Sequence, residues 1–226
     1  MSKDKEDLDI YIDETGDESP YSSLNPLYVV SFVCVPISED NELVQAFLAN
    51  KLSSLPGGDH FVHCGNLTRC EKPYQDLPRE DRQKLFGALF FFAKRAHFSY
   101  WNAVLEKNHH PEMSFEEKVA SVVKRSFDER KEFISSFQSI TLHYDGGQAF
   151  LKGILAAISV GLDNSRFKAT SQMDSPFMQV ANLTGFMELL WYKAERGSLT
   201  ASDVAFFGKK RKIKKDIMET LDEKKI

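Results

Sequence analysis

The sequence predicts an α/β domain, a mixed sheet with helices packed on its faces. Three observations carry this. A short alternating segment at residues 8–12 stops at a glycine turn and is followed by a second extended segment, as in a hairpin. Residues 27–35, Leu-Tyr-Val-Val-Ser-Phe-Val-Cys-Val, are nearly continuously apolar and β-branched, which suits a strand covered on both faces. From there on, segments with helical spacing alternate with short strand-like ones, the pattern of a sheet flanked by helices.

The elements follow in order. Leu8-Asp9-Ile10-Tyr11-Ile12 reads as a strand that ends at Asp13-Glu14-Thr15-Gly16-Asp17. After residues 27–35, Ser38 is expected to cap a helix with Leu43, Val44, Phe47 and Leu48 inward, ended by Pro56-Gly57-Gly58. Residues 59–64 suggest a short strand. Residues 79–95 read as a helix with Leu85, Phe86, Leu89 and Phe90 inward, and residues 97–105 as a strand. One longer helix is expected over 115–137, then an alternating strand over 139–144 that ends at Asp145-Gly146-Gly147. A helix over 148–162, a strand over 165–171 and a strongly apolar helix over 176–193 complete the domain. The division expected is a domain over residues 1–208 and a charged tail over 209–226.

The chain has 226 residues, 29 Lys and Arg against 33 Asp and Glu, and a net charge of −4. With 42% hydrophobic and 27% charged residues it is an ordinary globular composition, neither disordered nor collagen-like. Eighteen phenylalanines predict a thick aromatic core. The acidic balance excludes a global attraction to nucleic acid or anionic membranes, so any polyanion contact must be local. Three cysteines, Cys34, Cys64 and Cys70, form no disulfide framework and suggest a reduced compartment. The charged start Met1-Ser2-Lys3-Asp4-Lys5-Glu6-Asp7 does not resemble a signal peptide, and no run approaches the roughly 20 apolar residues of a membrane span. A soluble, cytoplasmic protein is therefore expected.

Asp13, with Glu14 and Asp17 beside it, ends the first strand, where open α/β sheets place their ligands. Strand alternation puts Asp9, Tyr11 and Asp13 on one face and Ile10 and Ile12 on the other. Asp145 repeats the arrangement at the end of Thr141-Leu142-His143-Tyr144. Each aspartate alone reads first as a solvated turn residue, the commoner case. Together, on neighbouring strands, two strand-end carboxylates would suit a hard cation such as Mg²⁺, and two such metals could clamp both oxygens of a phosphodiester. In Ser175-Pro176-Phe177-Met178-Gln179-Val180-Ala181-Asn182-Leu183-Thr184-Gly185, the polar pair Gln179 and Asn182 interrupts an apolar helix. These amides either satisfy backbone groups or face a site.

Taken together, Tyr11-Ile12-Asp13-Glu14-Thr15-Gly16-Asp17, Tyr144-Asp145 and Met178-Gln179-Val180-Ala181-Asn182-Leu183-Thr184-Gly185 resemble, in that order, the motifs of the domain-of-unknown-function 3800 family of bacterial, archaeal and phage proteins. The resemblance spans residues 8 to about 192. It implies a ribonuclease H-like fold, a mixed central sheet flanked by helices, and a nuclease that cleaves RNA or DNA with Mg²⁺ or Mn²⁺, with a role in phage defence or on mobile elements. It also implies catalytic roles for Asp13, Glu14, Asp145 and Asn182, with Asp13, Asp145 and Asn182 as metal ligands. At Asn182 the family has aspartate. An amide oxygen ligates a divalent ion weakly and removes one charge. The chain is then a slow enzyme, one that uses another carboxylate such as Glu14 or Glu188, or a binding module for nucleic acid or a protein partner.

His60-Phe61-Val62-His63-Cys64, with Cys70 six residues on, has zinc-type ligands at a spacing that fits no common finger. The resemblance makes His63 a candidate for the rim of the site, contacting phosphate or shuttling a proton. His109 and His110 before Pro111 read as an exposed loop, and His143 is expected on the opposite sheet face from Tyr144. Lys209-Lys210-Arg211-Lys212-Ile213-Lys214-Lys215 is the one basic cluster. It reads either as a solvated helix or as a substrate-binding patch in which Lys209, Lys210, Arg211 and Lys212, together with Gln179, contact a nucleic acid.

Overall fold

The computed structural model describes residues 6–109, 112–162, 165–169 and 175–226. The expectations for the first five residues, for His110 and Pro111, and for strand residues 170–171 lie outside these. Among the described residues the sheet has five strands, β1 (Asp7–Thr15), β2 (Leu27–Pro36), β3 (Ser99–Glu106), β4 (Ser139–Tyr144) and β5 (Ser165–Ala169), in the order β3-β2-β1-β4-β5. β1 runs antiparallel to β2, and β2 to β3. β1 is parallel to β4, and β4 to β5. The α/β class and the mixed sheet are thus as expected.

Both faces of the sheet are covered. β2 is buried along nearly its whole length, which explains its unbroken apolar run. Its Tyr28, Val30, Phe32 and Cys34 join Leu8, Ile10 and Ile12 of β1 in one core. That core is closed by α4 (Phe115–Asp128), α5 (Lys131–Ser135) and α6 (Ala149–Val160). Rings set its shape: Phe32 stacks on Trp101 at 4.9 Å, and Phe127 meets both edge-on. The other core holds Val33 and Val35 under α1 (Glu42–Ser53), α2 (Cys64–Arg69), α3 (Arg79–Arg95), α7 (Pro176–Glu195) and α8 (Ala201–Phe207).

Several expectations change. Residues 59–64 are not a strand; α2 begins at Cys64 instead. The single helix expected over 115–137 is interrupted at Glu129 and Arg130, giving α4 and α5. Ser38 does not cap α1. Asn41 precedes it, and Leu43 and Phe47, expected inward, are exposed while Leu48 and Leu52 are buried. β1 continues to Thr15, so Asp13 and Glu14 belong to the strand and the turn starts at Gly16.

Residues 209–226, expected as a charged tail, are largely helical. Short α-helical pieces at Lys210–Ile213 and Glu219–Asp222 flank a π-helical turn at Lys214–Met218. Ile213, Ile217, Met218 and Leu221 are buried in the α7-side core, while Lys209, Lys210, Lys212, Lys214 and Lys215 are exposed. At the outer strand β3, Tyr100 donates its N–H to Lys224 O (3.0 Å) and accepts from the N–H of Ile226 (3.0 Å).

α7 crosses the sheet over β1 and β2. It packs tightly on both strands at Gly185, where a Cβ would lie 2.8 Å from Thr15 Oγ1 and 2.9 Å from Ser31 Oγ. Gly185→Ala is expected to lift the helix and cost about 1–3 kcal/mol, as overpacking does. Urea denaturation measures it; an unchanged midpoint would contradict this packing.

Candidate functional site

The register pairs Ile12 of β1 with Tyr144 of β4, so the next residues follow toward the carboxyl ends of two adjacent parallel strands, Asp13 still inside β1 and Asp145 one residue past β4. The alternation read from the sequence holds. Tyr11 stacks on His143 at 4.6 Å and on Phe177 of α7 at 5.6 Å. His143 Nε2 lies 2.9 Å from Asp9 Oδ1, and Asp13 meets α7. Tyr144 belongs to the opposite core, away from His143.

Asp13 is 5% exposed. Its Oδ2 accepts a hydrogen bond from Asn182 Nδ2 at 2.9 Å. Burial, then the charge of Glu14, pushes its carboxyl well above the usual range; the Asn182 bond opposes this and Asp145 adds to it. Burial, followed by the charge of Asp145, raises Glu14 to about 7. Tyr144 Oη donates to Glu14 Oε1 at 3.2 Å, whereas Glu14 Oε2 is buried with no hydrogen-bond partner among the described residues. Asp145 Oδ1 accepts from the Gly147 N–H at 2.9 Å. A Cβ on Gly147 would lie 2.8 Å from Glu14 Oε1 and 3.4 Å from Asp145 Oδ1. A side chain there would intrude between these two carboxylates, so the glycine keeps their approach open.

Gln179 and Asn182 both reach the segment that leads into α2. The Val62 N–H donates to Gln179 Oε1 (3.1 Å) and the Cys64 N–H donates to Asn182 Oδ1 (2.9 Å). Asn182, 2% exposed, therefore bridges Asp13 to the start of α2, its oxygen engaged by Cys64 and its nitrogen turned to the carboxylate. Two backbone donors far from α7 in sequence thus account for the polar pair on an apolar helix.

His63 caps α2, its Nδ1 accepting from the Asn66 N–H at 3.3 Å. Burial and then the nearby Arg69 charge lower its pKa, which favours the neutral ring. Glu188 is engaged by Asn102 Nδ2 (3.0 Å) and Lys225 Nζ (2.9 Å). Asp17, hydrogen-bonded to Ser19 and Asn25 in the β1–β2 connection, is held down at about 2, apart from the Asp13 cluster. Lys209, Lys210, Arg211 and Lys212 are exposed, and Lys210 Nζ sits 5.3 Å from the Trp191 ring. Trp191 lies about 13 Å along α7 from Asn182 at 1.5 Å per residue, so the run is not at the carboxylates.

The carboxylates are hard oxygen donors, and the partnerless Glu14 Oε2 suits a cation. Among the described residues, though, no three His, Cys, Asp or Glu side chains are grouped so as to hold a metal ion. Sequence reading missed Tyr144 as the partner of Glu14, and Gly147 as the spacer, although Asp145-Gly146-Gly147 was the visible signal. Among the described residues no helix is long and apolar enough to cross a membrane. No family model matches the chain, and comparisons with curated proteins and with solved structures found no match.

Proposed function

We propose that this chain is a ribonuclease H-like, metal-dependent nuclease that cleaves phosphodiester bonds in RNA or DNA. The supporting observation is the set of Asp13, Glu14 and Asp145 at the ends of β1 and β4, two of them raised by burial, with Glu14 Oε2 lacking a partner. Glu14, Asp145 and the Asp13 oxygen not bonded to Asn182 would hold Mg²⁺ or Mn²⁺. When bound, such an ion supplies Lewis-acid polarisation of the phosphate and a water of lowered pKa. Asn182 positions Asp13 by donating to it, and Tyr144 orients Glu14.

Cleavage of labelled single- and double-stranded RNA and DNA in Mg²⁺ or Mn²⁺ tests this. Asp13→Ala is expected to lower the rate by more than the roughly 10–100-fold that follows loss of an outer-sphere partner. Equal cleavage by both proteins would mark a contaminant and end the proposal. The amide of Asn182, turned nitrogen-first toward Asp13, favours a second reading, a catalytically impaired module of the same fold that only binds. Activity that arises only in Asn182→Asp would support that reading.

A further inference from the structure

A separate concentration of charge lines a cavity of about 510 Å³ between α2, the start of α3 and α8. Its wall carries Arg69, Arg79 and Arg82 against one acid, Glu80. Arg82 is the telling residue. It is 8% exposed, its Nε donates to Leu77 O (3.3 Å) and its Nη1 donates to Leu67 O. Its guanidinium carbon lies 5.8 Å from the Phe206 ring centre. Among the described residues Nη2 makes no hydrogen bond, and no carboxylate pairs with this side chain. Arg82 is one of the residues that line this cavity.

A guanidinium stays charged at any ordinary pH, and a buried charge without a counter-charge is costly. Backbone carbonyls satisfy its donors but bring no negative charge. The other arginines of the wall add positive charge beside it. Arg69 ends α2 and is forked by Glu71, Nε to Oε1 at 2.8 Å and Nη2 to Oε2 at 3.0 Å, in a half-exposed pair that solvent screens and a bound anion would compete with. Arg79 opens α3, a helix of 17 residues whose first residues share the wall, so its positive end adds to the field. Planar forks with several donors match phosphate oxygens better than they match a small spherical anion.

We propose that this cavity is a binding site for a phosphate group, formed by Arg82, Arg79 and Arg69. The inference stands whether or not the carboxylates hold a metal. Thermal unfolding with inorganic phosphate at ionic strength fixed with chloride tests it. The native chain is expected to gain several degrees. The double variant Arg69→Ser, Arg79→Ser, which changes exposed positions and spares the buried Arg82, is expected to bind about tenfold more weakly or worse. Arg82→Lys, which keeps the charge and removes the fork, should fold and lose most of the shift. If phosphate stabilises no more than chloride, or if the double variant responds like the native chain, the site is refuted. Anisotropy with 5′-phosphorylated and unphosphorylated oligonucleotides then identifies the source. Tighter binding of the phosphorylated form that is lost in the double variant assigns a nucleic-acid phosphate. Equal binding of both, with the phosphate shift intact, assigns a free phosphate ligand.

Discussion

Asn182→Asp is expected to destabilise the metal-free protein by about 3–5 kcal/mol at pH 8, the usual cost of an uncompensated buried charge. The new carboxylate would keep the Cys64 N–H as partner of one oxygen and set the other against Asp13 Oδ2, where an N–H now donates at 2.9 Å. Two buried carboxylates in contact cannot both ionise, so one must retain a proton. Lowering the pH to 5 supplies that proton and should recover most of the loss. Mn²⁺ should also recover it at pH 8, because a ligand that binds only the folded state at 100 times its Kd adds about 2.7 kcal/mol. Urea denaturation in EDTA and in Mn²⁺, at both pH values, reads all of this. A variant as stable as the native chain in EDTA at pH 8 would mean that Asn182 does not face Asp13 in solution.

Glu14→Gln should act in the opposite direction. An acid raised from 4.5 to about 7 by burial holds its proton in the folded state after the unfolded chain has released it. Between these values the unfolded state binds fewer protons, so stability falls as pH rises and the penalty levels off above pH 7. The shift corresponds to about 3 kcal/mol at 1.36 kcal/mol per unit. The substituted amide cannot ionise and keeps an oxygen for Tyr144 Oη, so the Glu14→Gln variant should match the native chain near pH 4 and exceed it by about 3 kcal/mol at pH 8. If the two stability profiles run parallel from pH 4 to 8, Glu14 is not buried as described. Mn²⁺ binding by the native chain should strengthen up to about pH 7 with proton release, a heat that depends on the buffer.

Periodicity made much of the framework legible. The continuous apolar run of β2, the helical spacing of α3 and α7, and the position of Asp145 at the end of β4 all follow from local patterns that tertiary packing respects, whereas β1 runs two residues past Asp13. What stayed hidden depends on partners distant in the chain. Nothing near Asn182 announces that its oxygen will receive the N–H of Cys64, or that Tyr144 will reach Glu14. Helix α2 has only six residues, too few for a periodic signal, and its cap is a histidine rather than one of the usual small polar residues. The break between α4 and α5 is invisible because apolar residues recur across it. In the last segment the lysines masked the spacing of Ile213, Ile217 and Leu221, which is that of a docked helix face.

That docked segment also covers part of the sheet's outer edge. A sheet's outermost strand offers a ladder rung to any extended peptide, and long unshielded rims seed strand-by-strand growth. Here Lys224 and Ile226 occupy both main-chain groups of Tyr100, so β3 is capped near its start by the chain itself. Loss of these few residues would leave the cores nearly intact yet turn that rim into a template for fibrous stacking.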